Sequence, residues 1–292
     1  MQKILFLKLL LLTLIFSHCD QPGIVNVTTV EKKQPKKRIA PKTFSYHFEK
    51  PGAWLKKNTP PAELELILAI NRTDAKHLTG LDSIILPGDL TGDKETYLPF
   101  PFSVAAIKDI PKIIFFSYPA QVFGAYELGE LVYTGPVNMG RKKDPTPAGL
   151  YFTNWKAEKT TSTFNDEWDL KWNVNIENKL GIGWHEYELP GYPASHSCLR
   201  LLDKDARLLY DWAAQWIIDD KEVVKAQGTP VIVFGSYNFD APKPWLQLAV
   251  NPHALDISKA AIQQEAAPFL SEILEQQVRR EGALEGEKIE GK

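Results

Sequence analysis

The chain has 292 residues, of which 44% are hydrophobic and 24% are charged, as in an ordinary globular protein. A formal net charge of −2 gives no basis for nucleic-acid binding by the chain as a whole. The only cysteines are Cys19 and Cys198, and a disulfide between them would tie an N-terminal leader to the middle of the chain. Each cysteine has a better separate explanation.

Residues 1–19 are typical of an export signal. Lys3 and Lys8 accompany an apolar run over 4–16 that is too short for an ordinary membrane-spanning helix. The position of Cys19 resembles the acylated cysteine of bacterial lipoproteins, although His18 stands where a small residue is usual. Cys19 is therefore the lipidation candidate and the means of a membrane attachment. Simple signal cleavage is the alternative.

Residues 20–45 are basic and poor in large apolar groups, which predicts a flexible linker. A small supporting subdomain is expected over 46–110. Within it, Leu64, Ile67 and Leu68 have helical spacing, and 82–87 indicates a short strand that ends at a proline. This helix and strand weakly resemble the second half of a glycan-binding LysM module, whose first strand is not recognisable here.

A β-rich region begins near Lys112. Runs at 113–116 and 121–126 predict strands, and a turn at 128–130 followed by 131–134 predicts a hairpin. The alternation from Trp168 to Ile176 predicts a half-buried strand, with its tryptophans in the core or along a cleft.

The pattern becomes helical after Cys198. Asp203 or Asp205 is the predicted cap of a helix whose apolar stripe runs from Ala206 to Ile217. Residues 231–234 then predict the last strand of the sheet. A helical C-terminal extension is expected over 236–292, interrupted at Pro268, with a solvated or disordered charged tail from about Arg279.

The candidate site is the segment 195–200. If this segment is extended, His196, Cys198 and Arg200 share one face. A thiol is a nucleophile as the thiolate, and neighbouring cationic groups lower its pKa. His185 lies thirteen residues before Cys198, across a Pro190–Gly191 pair that predicts a tight reversal toward the sulfur.

Three interpretations of these residues remain open at this point. A cysteine with a nearby histidine base is the minimum arrangement for thiol acyl transfer. Buried structural residues are the second interpretation. Zinc binding is the third and is disfavoured, because the chain has neither a Cys-x-x-Cys nor a His-x-x-x-His spacing.

The stretch from His185 through Pro190-Gly191-Tyr192 to Ser195-His196-Ser197-Cys198-Leu199-Arg200 resembles the active-site signature of L,D-transpeptidase catalytic domains. Residues 121–123, 135–140 and 144–151 resemble the upstream elements of that family, in the same order. The resemblance covers about 111–235, which is the expected catalytic domain. Ser197 stands where the family usually has glycine. Serine is less favourable than glycine at this position if the backbone needs a positive φ.

The resemblance implies a mainly β (α+β) fold, with a sandwich or mixed sheet around a cleft, a helix after the nucleophile, and small helical appendages. It also implies an exported enzyme of the bacterial cell envelope, without a cofactor, that acts on peptidoglycan stem peptides. Cys198 would form a thioester with a stem tetrapeptide, release D-Ala and pass the acyl group to an amine, giving a 3→3 cross-link. An L,D-carboxypeptidase and a non-catalytic wall-binding protein are the alternatives.

The resemblance further assigns roles to single residues. His185 is the general base, and His196 supports the thiolate or the substrate. The backbone N–H groups of Ser197 and Cys198 are oxyanion-hole candidates. Arg200 is a candidate for binding a substrate carboxylate, with an ion pair to Asp203 as the alternative. Ser195 and Tyr192 complete the set of candidate substrate-binding residues.

Overall fold

The structure is a computed structural model that describes residues 37–55, 59–161 and 169–290, with side chains described to residue 286. The predicted signal over 1–19, Cys19, most of the predicted linker and Trp168 lie outside these residues. None of the described helices is both long and apolar enough to span a membrane.

The described strands and helices follow one another in this order: β1 (Tyr46–Glu49), α1 (Pro51–Leu55), α2 (Pro61–Asn71), α3 (Ala75–Leu78), β2 (Ile84–Pro87), β3 (Ile113–Ser117), β4 (Val122–Glu127), β5 (Glu130–Pro136), β6 (Gly149–Phe152), β7 (Lys156–Thr161), β8 (Asp169–Glu177), β9 (Ile182–Glu186), β10 (Leu199–Leu201), α4 (Asp203–Trp212), β11 (Ile217–Ile218), β12 (Val224–Ala226), β13 (Pro230–Phe234), α5 (Lys259–Ala266) and α6 (Leu270–Glu290). Short 3₁₀ turns lie at Lys94–Tyr97, Ala105–Ile107, Pro244–Ala249 and Ala267–Phe269.

Two sheets form the centre of the fold. One has five strands in the order β5-β4-β3-β13-β6, and the other has four in the order β10-β9-β8-β7. Ile114 and Phe116 from the first sheet share a buried apolar cluster with Trp184 and Leu199 from the second. The predicted α+β fold dominated by sheets is confirmed, with its helical C-terminal part.

The five-stranded sheet is covered on its other face as well. Phe115, Tyr126 and Ile232 pack there in a second buried cluster. That cluster includes Phe100 from before the β-rich region and Ile262 from α5. These strands are continuous apolar runs because both of their faces are buried.

The N-terminal subdomain has the first strand that its sequence did not reveal. β1 pairs with β2 in antiparallel register, and α1, α2 and α3 lie between them in the chain. The buried Asn71 side chain joins α2 to β2: it donates to the carbonyls of Ile67 and Ile85 at 2.9 Å each and accepts from the N–H of Ile85. The paired strands therefore enclose α1, α2 and α3 in the chain as one small unit.

The end of the predicted linker is attached to the fold. The N–H of Ile39 donates to Asp93 at 2.8 Å, and the N–H of Lys42 donates to Asp89 at 2.6 Å. The guanidinium of Arg38 lies 4.7 Å from the ring centroid of Phe102. These backbone bonds and the Arg38 side chain fix the path of the chain from residue 38 onward.

The helix after the nucleophile differs from its predicted form at both ends. α4 has Leu202 as its N-cap, and Asp203 and Asp205 both lie in its first turn. Their carboxylates accept from the indole N–H of Trp172 and the hydroxyl of Tyr133 instead of capping the helix. α4 ends at Trp212, so the predicted stripe to Ile217 was too long.

Two other predictions are wrong in part. The alternation along β8 is interrupted at Trp172, which has a φ of 54° at a shift of pairing register, so Asn173 and Asn175 are buried. The charged tail is helical rather than disordered, because α6 continues to Glu290. Its charges include an i,i+4 pair between Arg279 and Glu275 at 2.6 Å.

Candidate active site

The candidate nucleophile and base lie at one edge of the four-stranded sheet. β10 pairs with β9 in parallel, with Arg200 opposite His185 and Leu199 opposite Trp184. Side chains opposite each other in a sheet project from the same face. His185 and Arg200 therefore project from the same face, and Arg200 is the second residue after the bend that carries Cys198.

The chain between the two strands is a crossover, not the tight reversal that Pro190–Gly191 predicted. A parallel pair cannot be closed by a two-residue turn. Residues 187–198 therefore leave the edge of the sheet and return beside β9 in the same direction. Gly191 has a φ of +80°, so the predicted turn residue is used within this longer loop.

The segment 196–198 is bent rather than extended, and extended structure starts only at Leu199. The expectation that His196, Cys198 and Arg200 share one face of an extended segment is therefore wrong for the first two. It is correct for 199–201, where Leu199 and Leu201 are buried and Arg200 is partly exposed. The bend centres on Ser197, whose φ is 77°.

Ser197 occupies a left-handed conformation in which glycine is favoured. Its hydroxyl donates to the carbonyls of Pro145 at 3.1 Å and Asp144 at 3.3 Å. Its own carbonyl accepts from the hydroxyl of Thr146 at 2.8 Å. Serine thus adds one hydroxyl donor, within reach of two carbonyl oxygens, at a position where its backbone is strained.

Cys198 is a free thiol that is partly buried. Its Sγ lies 3.6 Å from the carbonyl oxygen of Gly181, to which the thiol donates. Burial raises the pKa of the thiol, while a backbone hydrogen bond from Gly183 and the charge of Arg200 lower it. The raised pKa describes a resting site with a neutral thiol, which needs a base before it can attack.

His185 is buried, and burial lowers the pKa of its imidazole to about 4. A bond to the carbonyl of Glu186 opposes this shift, and the charge of Arg200 adds to it. The Nδ1 atom lies 2.9 Å from that carbonyl oxygen. A carbonyl only accepts, so Nδ1 carries the proton and Nε2 is left with its lone pair.

Arg200 lies over an aromatic ring and not against a carboxylate. Its Cζ is 4.4 Å from the ring centroid of Tyr187, in the crossover loop. Within the described residues the structure contains no Arg200–Asp203 ion pair, and Asp203 instead accepts from the indole of Trp172 at 3.0 Å. The backbone of Arg200 pairs with that of Asn138 through two bonds of 2.9 Å.

The remaining candidates separate into buried and accessible residues. Ser195 is buried, and its hydroxyl donates to the carbonyl of Cys198 at 2.6 Å, so it closes the bend. His196 is partly exposed, and burial and the nearby charge of Arg141 lower the pKa of its imidazole. Tyr192 is 53% exposed, with the ammonium of Lys243 over its ring at 5.8 Å. Only His196 and Tyr192 of these three are open to a ligand.

Asn138 is a scaffold residue that reasoning from the sequence did not single out. Its side chain donates to the carbonyl of Tyr192 at 2.5 Å and accepts from the N–H of Ala194 at 3.1 Å. Thr146 has a similar role, because it bridges the N–H of Gly140 and the carbonyl of Ser197. Both residues lie in segments that resemble the transpeptidase family, which was the available signal.

The described residues include no group of three or more His, Cys, Asp or Glu side chains that could hold a metal ion.

Comparison with known families matches residues 111–233 to the model of the L,D-transpeptidase catalytic domain, also called YkuD. No curated protein sequence matches the chain. The family match covers β9 with His185, the bend with Cys198 and β10 with Arg200, and confirms the resemblance drawn from the sequence.

Similar solved structures include three L,D-transpeptidases. That from Stackebrandtia nassauensis is 23% identical, with 44% of this chain and 57% of that chain covered and a TM-score of 0.36. That from Mycobacterium smegmatis is 21% identical, with 43% and 59% covered and a TM-score of 0.34. L,D-transpeptidase 3 from Mycobacterium tuberculosis is 21% identical, with 43% and 62% covered and a TM-score of 0.34. This chain therefore spans less than two thirds of the length of each.

Proposed function

Because residues 111–233 match the model of the L,D-transpeptidase catalytic domain, we propose that the chain is a peptidoglycan L,D-transpeptidase with Cys198 as its nucleophile. The observation that carries the proposal is the contact of the His185 imidazole, whose Nδ1 lies 2.9 Å from the carbonyl oxygen of Glu186. Its Nδ1 proton is donated to the Glu186 carbonyl, so Nε2 can accept a proton. It is held on the strand that pairs with the one following Cys198.

Acylation begins when the Cys198 thiol turns from the Gly181 carbonyl toward Nε2 of His185. The imidazole takes the proton, and the sulfur attacks the carbonyl carbon at the L-centre of the third stem residue. The oxyanion that forms is stabilised by the N–H groups of Ser197 and Cys198, donors of a type that contribute about 10²–10³ each in rate. When the C–N bond to D-Ala breaks, His185 returns the proton to the leaving amine.

The second half-reaction releases the thioester. An amine of a neighbouring stem attacks the acyl carbon, loses a proton to His185, and displaces the sulfur, which recovers that proton. The product is a 3→3 cross-link and free enzyme. Arg200 and His196 are assigned to the substrate side, where the planar guanidinium suits a stem carboxylate. Ser195 closes the bend, Asn138 holds the loop before it, and Tyr192 is an exposed contact for the peptide.

The test uses the intact protein and a carbapenem as an acylating probe. Mass spectrometry should show one covalent adduct on the wild type and none on Cys198→Ala. Muropeptides incubated with the wild type should yield cross-linked dimers and free D-Ala. Trimmed tripeptides without dimers would identify an L,D-carboxypeptidase instead. Absence of both adduct and D-Ala release would leave a wall-binding protein as the better account.

The proposal places the enzyme in the bacterial cell envelope, exported by residues 1–19 and anchored through an acylated Cys19. The apolar run before Cys19 supports export. Labelling with a fatty acid in cells should mark the wild type and not Cys19→Ala. An unlabelled wild type with an N-terminus created by ordinary signal cleavage would overturn the anchor and leave the export.

A further inference from the structure

The crossover loop between His185 and Cys198 is held from outside the catalytic domain. Leu189, near the middle of this loop, is fully buried. Its N–H donates to Oδ2 of Asp74 at 2.7 Å, and its carbonyl accepts from the N–H of Asp74 at 3.0 Å. The hydroxyl of Thr73 donates to the same carbonyl at 3.0 Å. Both polar groups of the Leu189 backbone are therefore satisfied by the N-terminal subdomain.

The Asp74 carboxylate is itself fixed by its own helix. Oδ1 accepts from the N–H of His77 at 2.8 Å and caps α3. The Nδ1 atom of His77 lies 2.9 Å from each carboxylate oxygen. One side chain thus caps a helix with one oxygen and binds the crossover loop with the other.

A second layer of charge lies beside this contact. Glu188, next to Leu189, forms an ion pair with the ammonium of Lys76. Its carboxylate also lies 3.7 Å from Nε2 of His77. Lys76 and Glu188 are well exposed and His77 is partly exposed, so each pair contributes little alone. They add side-chain contacts between α3 and the crossover loop beside Leu189.

The base of this contact is anchored to the sheet. Arg72 precedes Thr73, is almost fully buried, and has a φ of 56°. Its Nε donates to the carbonyl of Ala120 at 2.8 Å, and its Nη1 donates to the carbonyls of Ala69 and Ile70 at 2.7 Å each. Residue 120 lies just before β4, so residues 73 and 74 are held at a fixed place relative to the catalytic domain.

We propose that Asp74 is a positioning residue for the acyl-transfer reaction, which it serves through Leu189 by holding the crossover loop; this rests on the proposed function. The loop leads from His185 to the bend that carries Cys198. A small displacement of one reacting group relative to the other is costly in rate. The subdomain over 46–87 thereby acts as a part of the active site, although the family match begins only at residue 111.

The experiment compares Asp74→Ala with Asp89→Ala in the full chain. Asp89 is a matched control because its carboxylate also accepts backbone N–H groups, from Lys42 at 2.6 Å and Thr91 at 2.8 Å, in another loop. Carbapenem acylation is followed by mass spectrometry over a range of probe concentrations. Denaturant unfolding and hydrogen exchange at the Leu189 amide are measured in the same samples.

The limiting acylation rate of Asp74→Ala should fall at least ~10-fold, with a nearly unchanged half-saturating concentration. Exchange at Leu189 should rise, and Asp89→Ala should acylate like the wild type. The limiting acylation rate of Asp74→Asn should be intermediate, since a single amide oxygen replaces two carboxylate acceptors. If the alanine variant does not fold, Asp74→Asn provides the test. Acylation of both Asp74 variants within about twofold of Asp89→Ala would overturn the positioning role. Absence of acylation in the wild type would instead overturn the proposed function.

Discussion

At the scale of single residues, Ser197 carries a measurable backbone strain. Its φ of 77° favours glycine over any residue with a Cβ atom. Ser197→Gly and Ser197→Ala both remove the hydroxyl that binds the carbonyls of Asp144 and Pro145. The glycine variant should therefore be the more stable of the two by about 1 kcal/mol, as measured by denaturant unfolding.

The sign of this difference is diagnostic. At an ordinary helical position such as the exposed Ala260 in α5, replacement by glycine should lower the free energy of unfolding by about 0.5–1 kcal/mol. A Ser197→Ala variant more stable than Ser197→Gly would show that the bend does not require the left-handed conformation in solution.

His185 should make stability depend on pH in a defined direction. Burial lowers its pKa to about 4 in the folded chain, whereas the pKa of a histidine in the unfolded chain is about 6.5. As the pH falls below the unfolded value, only the unfolded chain gains the proton, so this stability is present above that pH and is lost toward pH 4. Relative to His185→Gln, the wild type should lose about 3 kcal/mol between neutral pH and the folded pKa.

Urea unfolding at several pH values in this window measures the effect. His47→Gln, which removes an exposed imidazole from β1, is the matched control and should follow the wild type. If the His185→Gln and wild-type curves run parallel across the window, the imidazole titrates alike in both states, and its burial as a neutral base is wrong.

The sequence identifies the reactive residues of the candidate site better than their arrangement. Cys198, His185 and Arg200 could be selected because their chemistry is local and their spacing resembles a family signature. The family-like segment includes Asn138, but the role of Asn138 could not be inferred, because its side chain joins Tyr192 and Ala194, more than fifty residues away along the chain. Asp74 is hidden for the same reason, since its partner Leu189 is distant in sequence.

At the scale of elements, the strands that hold the core are predictable from the sequence. β3 and β13 are apolar runs because both faces of their sheet are buried, and the hairpin of β4 and β5 is indicated by its glycine turn. The parallel pairing of β9 with β10 is not predictable, because Pro190–Gly191 has the same local signature in a hairpin and in a crossover.

Helix boundaries fail for a different reason. Asp203 and Asp205 have the chemistry of N-caps, but Trp172 and Tyr133 compete for their oxygens from other elements. The prediction of a disordered charged tail fails because it rests on composition alone. Good helix formers and an i,i+4 pair allow α6 to continue through this segment. Tertiary contacts thus override the capping pattern at the start of α4, and local helix propensity overrides the charged composition of the tail.

At the scale of the whole molecule, residues 36–292 form one compact unit, although the family match covers only 111–233. The reason lies in the second face of the five-stranded sheet. Phe115 and Tyr126 are buried there by Phe100 and Ile107 from before the matched segment, and by Ile262 from after it. The appendages therefore complete the core of the catalytic domain.

A fragment of residues 111–235 alone should consequently fail to fold as the intact protein does. Removing both flanks exposes a continuous apolar face of the sheet. Burial of each large apolar side chain contributes about 1.5–3 kcal/mol to the stability of the folded state, and this contribution would be lost. Residues 37–292 should unfold in one cooperative thermal transition, whereas the fragment should lack that transition and bind a hydrophobic dye. A fragment that unfolds cooperatively at the same temperature would show that the flanks only decorate an independent domain. Because such a folded fragment would still lack Asp74, its rate of acylation by a carbapenem would report the positioning role of Asp74 separately from any loss of stability.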